Sequence, residues 1–201
     1  MKFPSNVCKA EAEDALTDAL HQCAHRSRNL MRTTDNFKLI QKAKRRDPDA
    51  FTELMNLYMK DMYRTAVAIL MNDEDAADAI QETILTCWER LSSLRENKFF
   101  KTWMTRILIN KCYDIRDQRI AAVDISEHEE LVFHEEESNL EIKEALRQLD
   151  EKYRVPLMMF YGEGYRIKEI AAILHTSVST IQTRLSRGRE QLGRYFGNDK
   201  E

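Results

Sequence analysis

The fold of the carboxyl-terminal part is decided by the stretch Tyr165-Arg-Ile-Lys-Glu-Ile-Ala-Ala-Ile-Leu-His-Thr-Ser-Val-Ser-Thr-Ile-Gln-Thr-Arg-Leu-Ser-Arg-Gly-Arg189. Two segments with helical spacing flank the three polar residues 175–177, which predicts a helix-turn-helix. Ala171 is small where the two helices would cross, and Ser177 or Ser179 can cap the second helix. Six apolar residues are predicted to fill the core between the helices: Ile170, Ile173, Leu174, Val178, Ile181 and Leu185.

The second of these helices leaves a row of polar side chains pointing outward. Glutamine and arginine suit bidentate contacts with adenine and guanine in the major groove, and serine and threonine suit phosphates. The helix amino terminus adds an anion site. The pattern predicts a DNA-reading face, although a helical hairpin with a solvated basic face is the simpler alternative. The candidate residues are Ser179, Thr180, Gln182, Thr183, Arg184, Ser186 and Arg187.

Upstream, aromatic and basic residues alternate in the segment 97–116. Rings that stack on unpaired bases, with cations that hold the backbone, are typical of a site for single-stranded nucleic acid. Trp103, Arg106 and Asn110 share one helix face. The competing interpretation is that the aromatic residues are core, and for Trp103 inward packing is at least part of the explanation. The candidates are Lys98, Phe99, Phe100, Lys101, Trp103, Arg106 and Asn110.

The segment 47–91 predicts two long amphipathic helices that precede the aromatic-basic segment. Asp47-Pro48 is a typical helix start, because Asp can cap and Pro fits the first helical position. Apolar residues then recur every three or four positions up to Leu70, and again from Ala76 to Leu91. The second helix also carries an acidic edge (Asp75, Asp78 and Glu82) and Trp88, a pattern that a solvated face explains equally well. A third helix is predicted from about Phe100 to Arg116.

Glycine and proline are scarce in most of the chain, which predicts an all-α protein of two small helical domains. All five glycines lie in the last fifth, and the prolines are Pro4, Pro48 and Pro156. Residues 117–138 lose helical periodicity and gather acids, as a flexible linker would. The predicted organisation is an amino-terminal extension over 1–35, which is partly helical or disordered, a first domain over 36–116, the acidic linker over 117–138, a second domain over 139–196 and a tail over 197–201.

Charge is distributed unevenly along the chain. Residues 124–151 carry eleven acids and two bases, whereas residues 153–196 carry seven bases and three acids. This asymmetry suggests that one part meets phosphates and another does not. No apolar run approaches the roughly 20 residues needed to span a bilayer, and residues 1–35 lack a signal-peptide core. We therefore expect a cytoplasmic protein.

Cofactor and enzyme chemistry find little support in the sequence. The four cysteines form no Cys-x-x-Cys pair, so free or buried thiols are expected. His21, Cys23 and His25 are close in sequence, but i, i+2 positions on a helix point in different directions, so no metal site is predicted. No glycine-rich phosphate loop or nucleophile elbow is present. We expect no cofactor, no small-molecule substrate and no enzymatic activity.

Four segments resemble the hallmarks of one family, in that family's order: Asp47-Pro-Asp-Ala-Phe-Thr-Glu-Leu54, Asp73-Glu-Asp-Ala-Ala-Asp-Ala-Ile-Gln-Glu-Thr83, Phe100-Lys-Thr-Trp-Met-Thr-Arg-Ile107 and Tyr165-Arg-Ile-Lys-Glu-Ile-Ala171. The chain is similar to the sigma-70 family of RNA polymerase sigma factors, of the extracytoplasmic-function (ECF) type. The resemblance covers about residues 36–196. The turn at His175 lacks the glycine that the family often has there.

The resemblance implies a promoter-specificity subunit and a role for each segment. The helix over 74–91 would dock on the clamp helices of the polymerase core through Asp78, Gln81, Glu82 and Trp88. The loop 92–101 would read the minus-10 element, with a flipped base held in the loop. Trp103, Arg106 and Asn110 would hold melted DNA, and the last helix would read the minus-35 element. The resemblance also implies an anti-sigma factor as a partner.

A second interpretation is a helix-turn-helix transcription regulator with a helical sensor domain. It explains residues 139–196, but it leaves the segments 73–91 and 97–116 unexplained. It predicts that the free protein binds a palindrome as a dimer. The sigma-factor interpretation predicts instead that promoter selectivity requires the polymerase core.

Overall fold

The computed structural model describes residues 36–122 and 140–198. These residues form eight α-helices and no strand, which confirms the all-α prediction. The amino-terminal extension over 1–35 and the acidic part of the linker lie outside the described residues. The helices are α1 (36–44), α2 (Pro48–Leu70), α3 (Asp73–Arg90), α4 (Phe100–Ala122), α5 (Leu140–Arg147), α6 (Glu151–Leu157), α7 (Ile167–Ile173) and α8 (Val178–Asn198).

The first domain consists of α1 to α4, and α2 and α4 begin where the sequence predicts. The Asp47 side chain accepts a hydrogen bond from the Ala50 amide at 3.0 Å, and Pro48 follows it as the first helical residue. Asn72 caps α3 in the same way. Buried apolar faces hold α2, α3 and α4 against one another, so hydrophobic burial supplies most of the domain's stability.

Helix α4 is longer than the sequence predicts. It continues past Arg116 to Ala122, so the first residues of the predicted linker are helical. The Arg119 guanidinium forms an ion pair with Asp75 of α3 at 2.7 Å, and Ala and Arg are good helix formers. This extension was missed because acidic residues further along the linker dominated the charge pattern.

The second domain consists of α5 to α8. Pro156 lies inside α6, which then widens into one π turn over Met158–Gly162. Gly164 turns the chain toward α7 with φ of 71°, a conformation that favours glycine. At Gly188 of α8, a Cβ atom would lie 2.7 Å from Leu157 Cδ1. A larger residue at this position would therefore require the Leu157 side chain of α6 to move.

The predicted helix-turn-helix is formed by α7 and α8. Ser177 caps α8, since its hydroxyl accepts a hydrogen bond from the Thr180 amide at 3.0 Å. His175 occupies the turn with φ of 50°, the left-handed conformation for which glycine is usual. One core prediction was wrong: Val178 is 38 % exposed, because it begins α8 beside the open turn, before the helix reaches Ile181 in the core.

The two domains pack directly against each other, which the sequence did not predict. Helix α2 contacts α6 and the π turn, and α4 contacts α7. Buried residues of both domains form one continuous cluster. No helix in the described ranges is long and apolar enough to cross a membrane.

Candidate nucleic-acid interface

The polar face of α8 lies on the surface, opposite the buried face that carries Ile181 and Leu185. Two of the predicted DNA-reading residues, Thr180 and Arg184, are half-buried. The other five are exposed: Ser179, Gln182, Thr183, Ser186 and Arg187. One helix face thus presents all seven candidates, as a helix that enters a major groove must.

Next to this face is an open cleft of about 390 Å³, and it contains a base that the sequence did not single out. Lys152 and Tyr153 of α6 line the cleft together with Arg184 and Arg187. The Lys152 ammonium is hydrogen-bonded and ion-paired to Asp150 at 2.7 Å, which raises its pKa, so it stays charged beside the arginines. In the sequence, Lys152 could have been noticed as a base just after the start of α6, the helix that packs on α8.

Hydroxyl groups at the amino terminus of α8 are hydrogen-bonded to one another. Ser177 Oγ lies 2.9 Å from Ser179 Oγ and 2.7 Å from Thr180 Oγ1. Thr183 donates to the Ser179 carbonyl oxygen at 3.0 Å. These bonds fix the side chains in position before any ligand arrives, which lowers the entropy cost of binding.

The aromatic residues of the segment 97–116 divide into exposed and buried rings. Phe99 is 51 % exposed, and the Lys98 ammonium lies 4.8 Å from its ring centroid. Phe100 is 1 % exposed and packs between Tyr58 and Trp103. Phe100 is therefore a core residue in this conformation, and its ring has no free face for a base. Trp103 is half-buried, in agreement with the inward packing that was considered for it.

The polar residues on α4 also differ in their surroundings. Asn110 is exposed. The Arg106 guanidinium donates to the Ala172 carbonyl oxygen of α7 at 2.8 Å. The Lys101 ammonium donates to the Glu163 carbonyl oxygen at 2.9 Å. Two bases that were predicted to hold DNA are therefore bonded to the second domain.

The predicted polymerase-binding face on α3 is mostly open. Asp78, Gln81 and Glu82 are exposed, and Glu82 pairs with Lys111 of α4 at 3.2 Å. Trp88 is half-buried, with its ring 4.9 Å from that of Phe51 and the Arg46 guanidinium 5.3 Å from its centroid.

Leu85 is the residue that the sequence reasoning missed on this face. It is 59 % exposed, one helical turn from both Glu82 and Trp88. It borders an apolar groove of about 220 Å³ between α2 and α3, lined by Pro48, Phe51, Thr52, Ile84, Leu85 and Trp88. The sequence could have indicated Leu85, because its i+3 spacing from Glu82 places both residues on the same face of α3. A large exposed apolar side chain beside such a groove is typical of a protein-binding surface.

The described residues show no chemistry for metal binding or thiol reactivity. They contain no group of three or more His, Cys, Asp or Glu residues that could hold a metal ion. Cys87 and Cys112 are buried, and burial raises the pKa of each thiol to about 12. These two thiols stay protonated and unreactive near neutral pH. His21, Cys23 and His25 lie outside the described residues.

Two family models match the chain, one in each domain. The family model described as "Sigma-70 region 2" matches residues 54–119, and that described as "Sigma-70, region 4" matches residues 139–192. The ECF RNA polymerase sigma factor SigW of Bacillus subtilis is 29 % identical over 174 residues, which cover 77 % of this chain and 93 % of SigW. SigM of Mycobacterium tuberculosis is 27 % identical over 156 residues, covering 75 % and 79 % of the two chains.

Two solved structures share the fold. The sigma factor RpoE of Bartonella quintana, in complex with the anti-sigma factor NepR, aligns with a TM-score of 0.66 at 24 % identity, covering 75 % of this chain and 98 % of RpoE. CnrH, in complex with the cytosolic domain of CnrY, aligns with a TM-score of 0.61 at 23 % identity, covering 81 % and 97 %. With α2 to α4 in the position of region 2 and the helix-turn-helix in that of region 4, the chain belongs to the sigma-70 family as an RNA polymerase sigma factor of the ECF type.

Proposed function

We propose that α8 of this sigma factor reads the minus-35 element in the major groove. The observation that carries the proposal is the exposed polar row on α8. Gln182 and Arg187 have the donors and acceptors that read base edges, and Ser179 and Thr183 suit phosphates. Arg184 and Lys152, at the wall of the adjacent cleft, add positive charge for the flanking backbone.

The minus-10 element is read by the loop before α4 and by the exposed part of α4. Phe99 offers an open ring for an unpaired base, and Lys98 beside it offers a cation for the backbone. Lys101, Arg106 and Asn110 continue this surface along α4. Trp103 is half-buried and supports the surface by packing on Phe100.

The α3 face binds the clamp helices of the polymerase core. Asp78, Gln81 and Glu82 supply a polar and acidic rim, and Leu85 with Trp88 supplies an apolar centre. An apolar centre with a polar rim is the usual composition of a specific protein interface.

The protein acts by binding alone, in the cytoplasm, without cofactor, small-molecule substrate or enzymatic activity. An anti-sigma factor restrains it. The support for this partner is the shared fold with RpoE and CnrH, which were solved in complex with NepR and with the cytosolic domain of CnrY.

In vitro transcription tests the proposed function. Core polymerase and genomic DNA should give specific starts only when the purified chain is added. A chain that neither copurifies with core polymerase nor adds promoter selectivity would overturn the proposal. Binding of the free chain to a palindrome as a dimer would favour the helix-turn-helix regulator instead.

A further inference from the structure

The turn between α1 and α2 contains a side chain that reaches across to the end of α3. The Arg46 guanidinium donates to the Trp88 carbonyl oxygen from Nη1 at 2.7 Å and to the Glu89 carbonyl oxygen from Nη2 at 3.3 Å. The last carbonyl groups of a helix lack partners within the helix and carry negative partial charge, so a cation is favourable there. Arg46 therefore caps the carboxyl terminus of α3 from outside that helix.

The backbone at Arg46 has a conformation that this residue type rarely adopts. Its φ is 66°, in the left-handed region where glycine and asparagine are the usual residues. The Arg46 amide donates to the Ala43 carbonyl oxygen at 3.0 Å, which fixes the turn. A glycine would fit this turn with less strain. What arginine adds at this position is therefore its guanidinium group.

Lys44, two residues earlier, holds the chain just beyond α3. Its ammonium group donates to the Leu94 carbonyl oxygen at 2.5 Å. Leu94 follows the 3₁₀ turn over Leu91–Ser93, and its amide donates to the Leu91 carbonyl oxygen at 3.2 Å. Lys44 and Arg46 thus fix two successive points of the chain, the end of α3 and the end of the turn that follows it.

The segment 92–99, which we call the α3–α4 loop, is anchored to the core at one residue. Leu94 is buried, whereas the other residues of the loop are exposed or half-buried. The Lys98 ammonium pairs with Glu96 within the loop at 2.6 Å, and Phe99 at the end of the loop is exposed. Loss of the Lys44 bond would therefore leave the middle of the loop held by one apolar side chain.

We propose that Lys44 and Arg46 are positioning residues for reading of the minus-10 element, because they hold the α3–α4 loop in the conformation that presents Phe99. Neither side chain contacts DNA in this role. That the loop reads DNA rests on the proposed function, whereas the anchoring of the loop rests on the geometry alone. A loop that is ordered before it captures an unpaired base avoids the entropy cost of ordering during binding.

Arg46 has a second contact that Lys44 does not share. Its guanidinium lies 5.3 Å from the centroid of the Trp88 ring, on the face proposed to bind the polymerase core. Loss of Arg46 should therefore disturb both the core-binding face and the α3–α4 loop. Loss of Lys44 should disturb the loop alone, so variants at Lys44 separate loop order from core binding.

Three variants of the full chain test the proposal. Lys44→Met keeps the aliphatic stem and removes the ammonium group. Arg46→Asn suits the left-handed turn but is too short to reach the end of α3. Arg45→Gln is the matched control, since Arg45 is an exposed base in the same turn and its replacement changes the charge equally. Arg46→Gly replaces Arg46→Asn if circular dichroism shows a loss of helical content.

Amide hydrogen exchange, followed by NMR, measures the order of the loop. The amides of Leu94 and Phe99 are suitable, because each donates to a carbonyl oxygen three residues earlier. Lys44→Met and Arg46→Asn should each raise their exchange rates about three- to tenfold, because exchange follows the free energy of local opening. Arg45→Gln should match wild type. Wild-type exchange rates in the double variant of Lys44→Met and Arg46→Asn would overturn the anchoring.

Binding of single-stranded oligonucleotides by the holoenzyme, at saturating core polymerase, then tests the positioning. One oligonucleotide carries the minus-10 element mapped by the transcription assay, and the other carries the same bases scrambled. The double variant should lower the preference for the mapped element about threefold or more, because a smaller fraction of its loops is ready to bind, and Arg45→Gln should keep the wild-type preference.

An unchanged preference despite faster exchange would overturn the positioning role. A wild-type holoenzyme that does not distinguish the two oligonucleotides would instead overturn the proposed reading of the minus-10 element, and with it the positioning role. The exchange rates would still decide whether Lys44 and Arg46 anchor the loop, because they are measured without DNA.

Discussion

The carboxyl group of Glu163 in the second domain is hydrogen-bonded to the hydroxyl of Thr65 in the first, and both residues are buried. This pair brings together residues that lie 98 positions apart in the chain. It places an ionisable group between two domains whose DNA-binding faces must act at different promoter elements. The contact therefore makes the domain arrangement sensitive to protonation.

We expect the folded chain to lose stability as pH rises toward about 8. Burial raises the pKa of Glu163 from 4.5 to about 8, so between these values the folded chain binds more protons than the unfolded chain does. Its stability is greatest below the lower value and is lost as pH rises toward the upper one. The urea midpoint of unfolding, followed from about pH 5 to about pH 8.5, should fall as pH rises. Glu163→Gln should flatten this dependence, and an unchanged slope in that variant would contradict the prediction.

Removal of the Arg187 side chain should weaken recognition of the minus-35 element. A bidentate contact with a base is worth about 1–3 kcal/mol, so Arg187→Ala should raise the Kd for a duplex with the mapped element by about five- to 150-fold at fixed salt. Arg194→Ala is the matched control, because Arg194 is also exposed on α8 but pairs with Glu190 and lies outside the cleft. Equal losses in the two variants would indicate a general charge effect without base reading.

Neighbouring phenylalanines should respond differently to truncation. Phe99→Ala removes an exposed ring, so it should slow promoter opening, measured by permanganate reactivity of unpaired thymines, while the urea midpoint of unfolding changes little. Phe100→Ala removes a core ring and should cost about 3–5 kcal/mol of stability. Normal opening by a folded Phe99→Ala variant would argue against base stacking on this ring.

Binding to the polymerase core should depend on Leu85. Leu85→Lys places a charge in the apolar centre of the α3 face and should lower affinity for core polymerase by about tenfold or more, as measured by titration of labelled sigma factor. Leu57→Lys is the matched control, since Leu57 is likewise exposed but lies on α2 outside the groove. A similar loss for both variants would place the binding surface elsewhere.

Local signals in the sequence predicted the helix starts and the helix-turn-helix well. Capping by Asp47 and Ser177 depends only on residues within one turn, which a sequence displays directly. Phe99 and Phe100 could not be separated, because a short 3₁₀ turn over Asn97–Phe99 precedes α4 and helical spacing does not apply across it. The family was recognisable from motifs in register, whereas the residue-level roles on these faces remain predictions.

Domain docking could not be predicted for a different reason. Thr65, Thr105 and Glu163 are single polar residues in otherwise apolar surroundings, and no periodic pattern marks them as partners. The acidic composition of residues 117–138 suggested free separation of the domains. In the structure, hydrogen bonds between these distant residues hold the two domains against each other.

The close approach at Gly188 has a consequence for how promoter choice can change. At Gly188, α8 packs so closely on the Leu157 side chain of α6 that the contact sets the rotation of α8 about its own axis. Outward residues such as Gln182 and Ser186 can then be exchanged without disturbing that seating. Retargeting to a different upstream sequence is thus open to side-chain replacement, whereas a larger residue at position 188 would first require the Leu157 side chain to move.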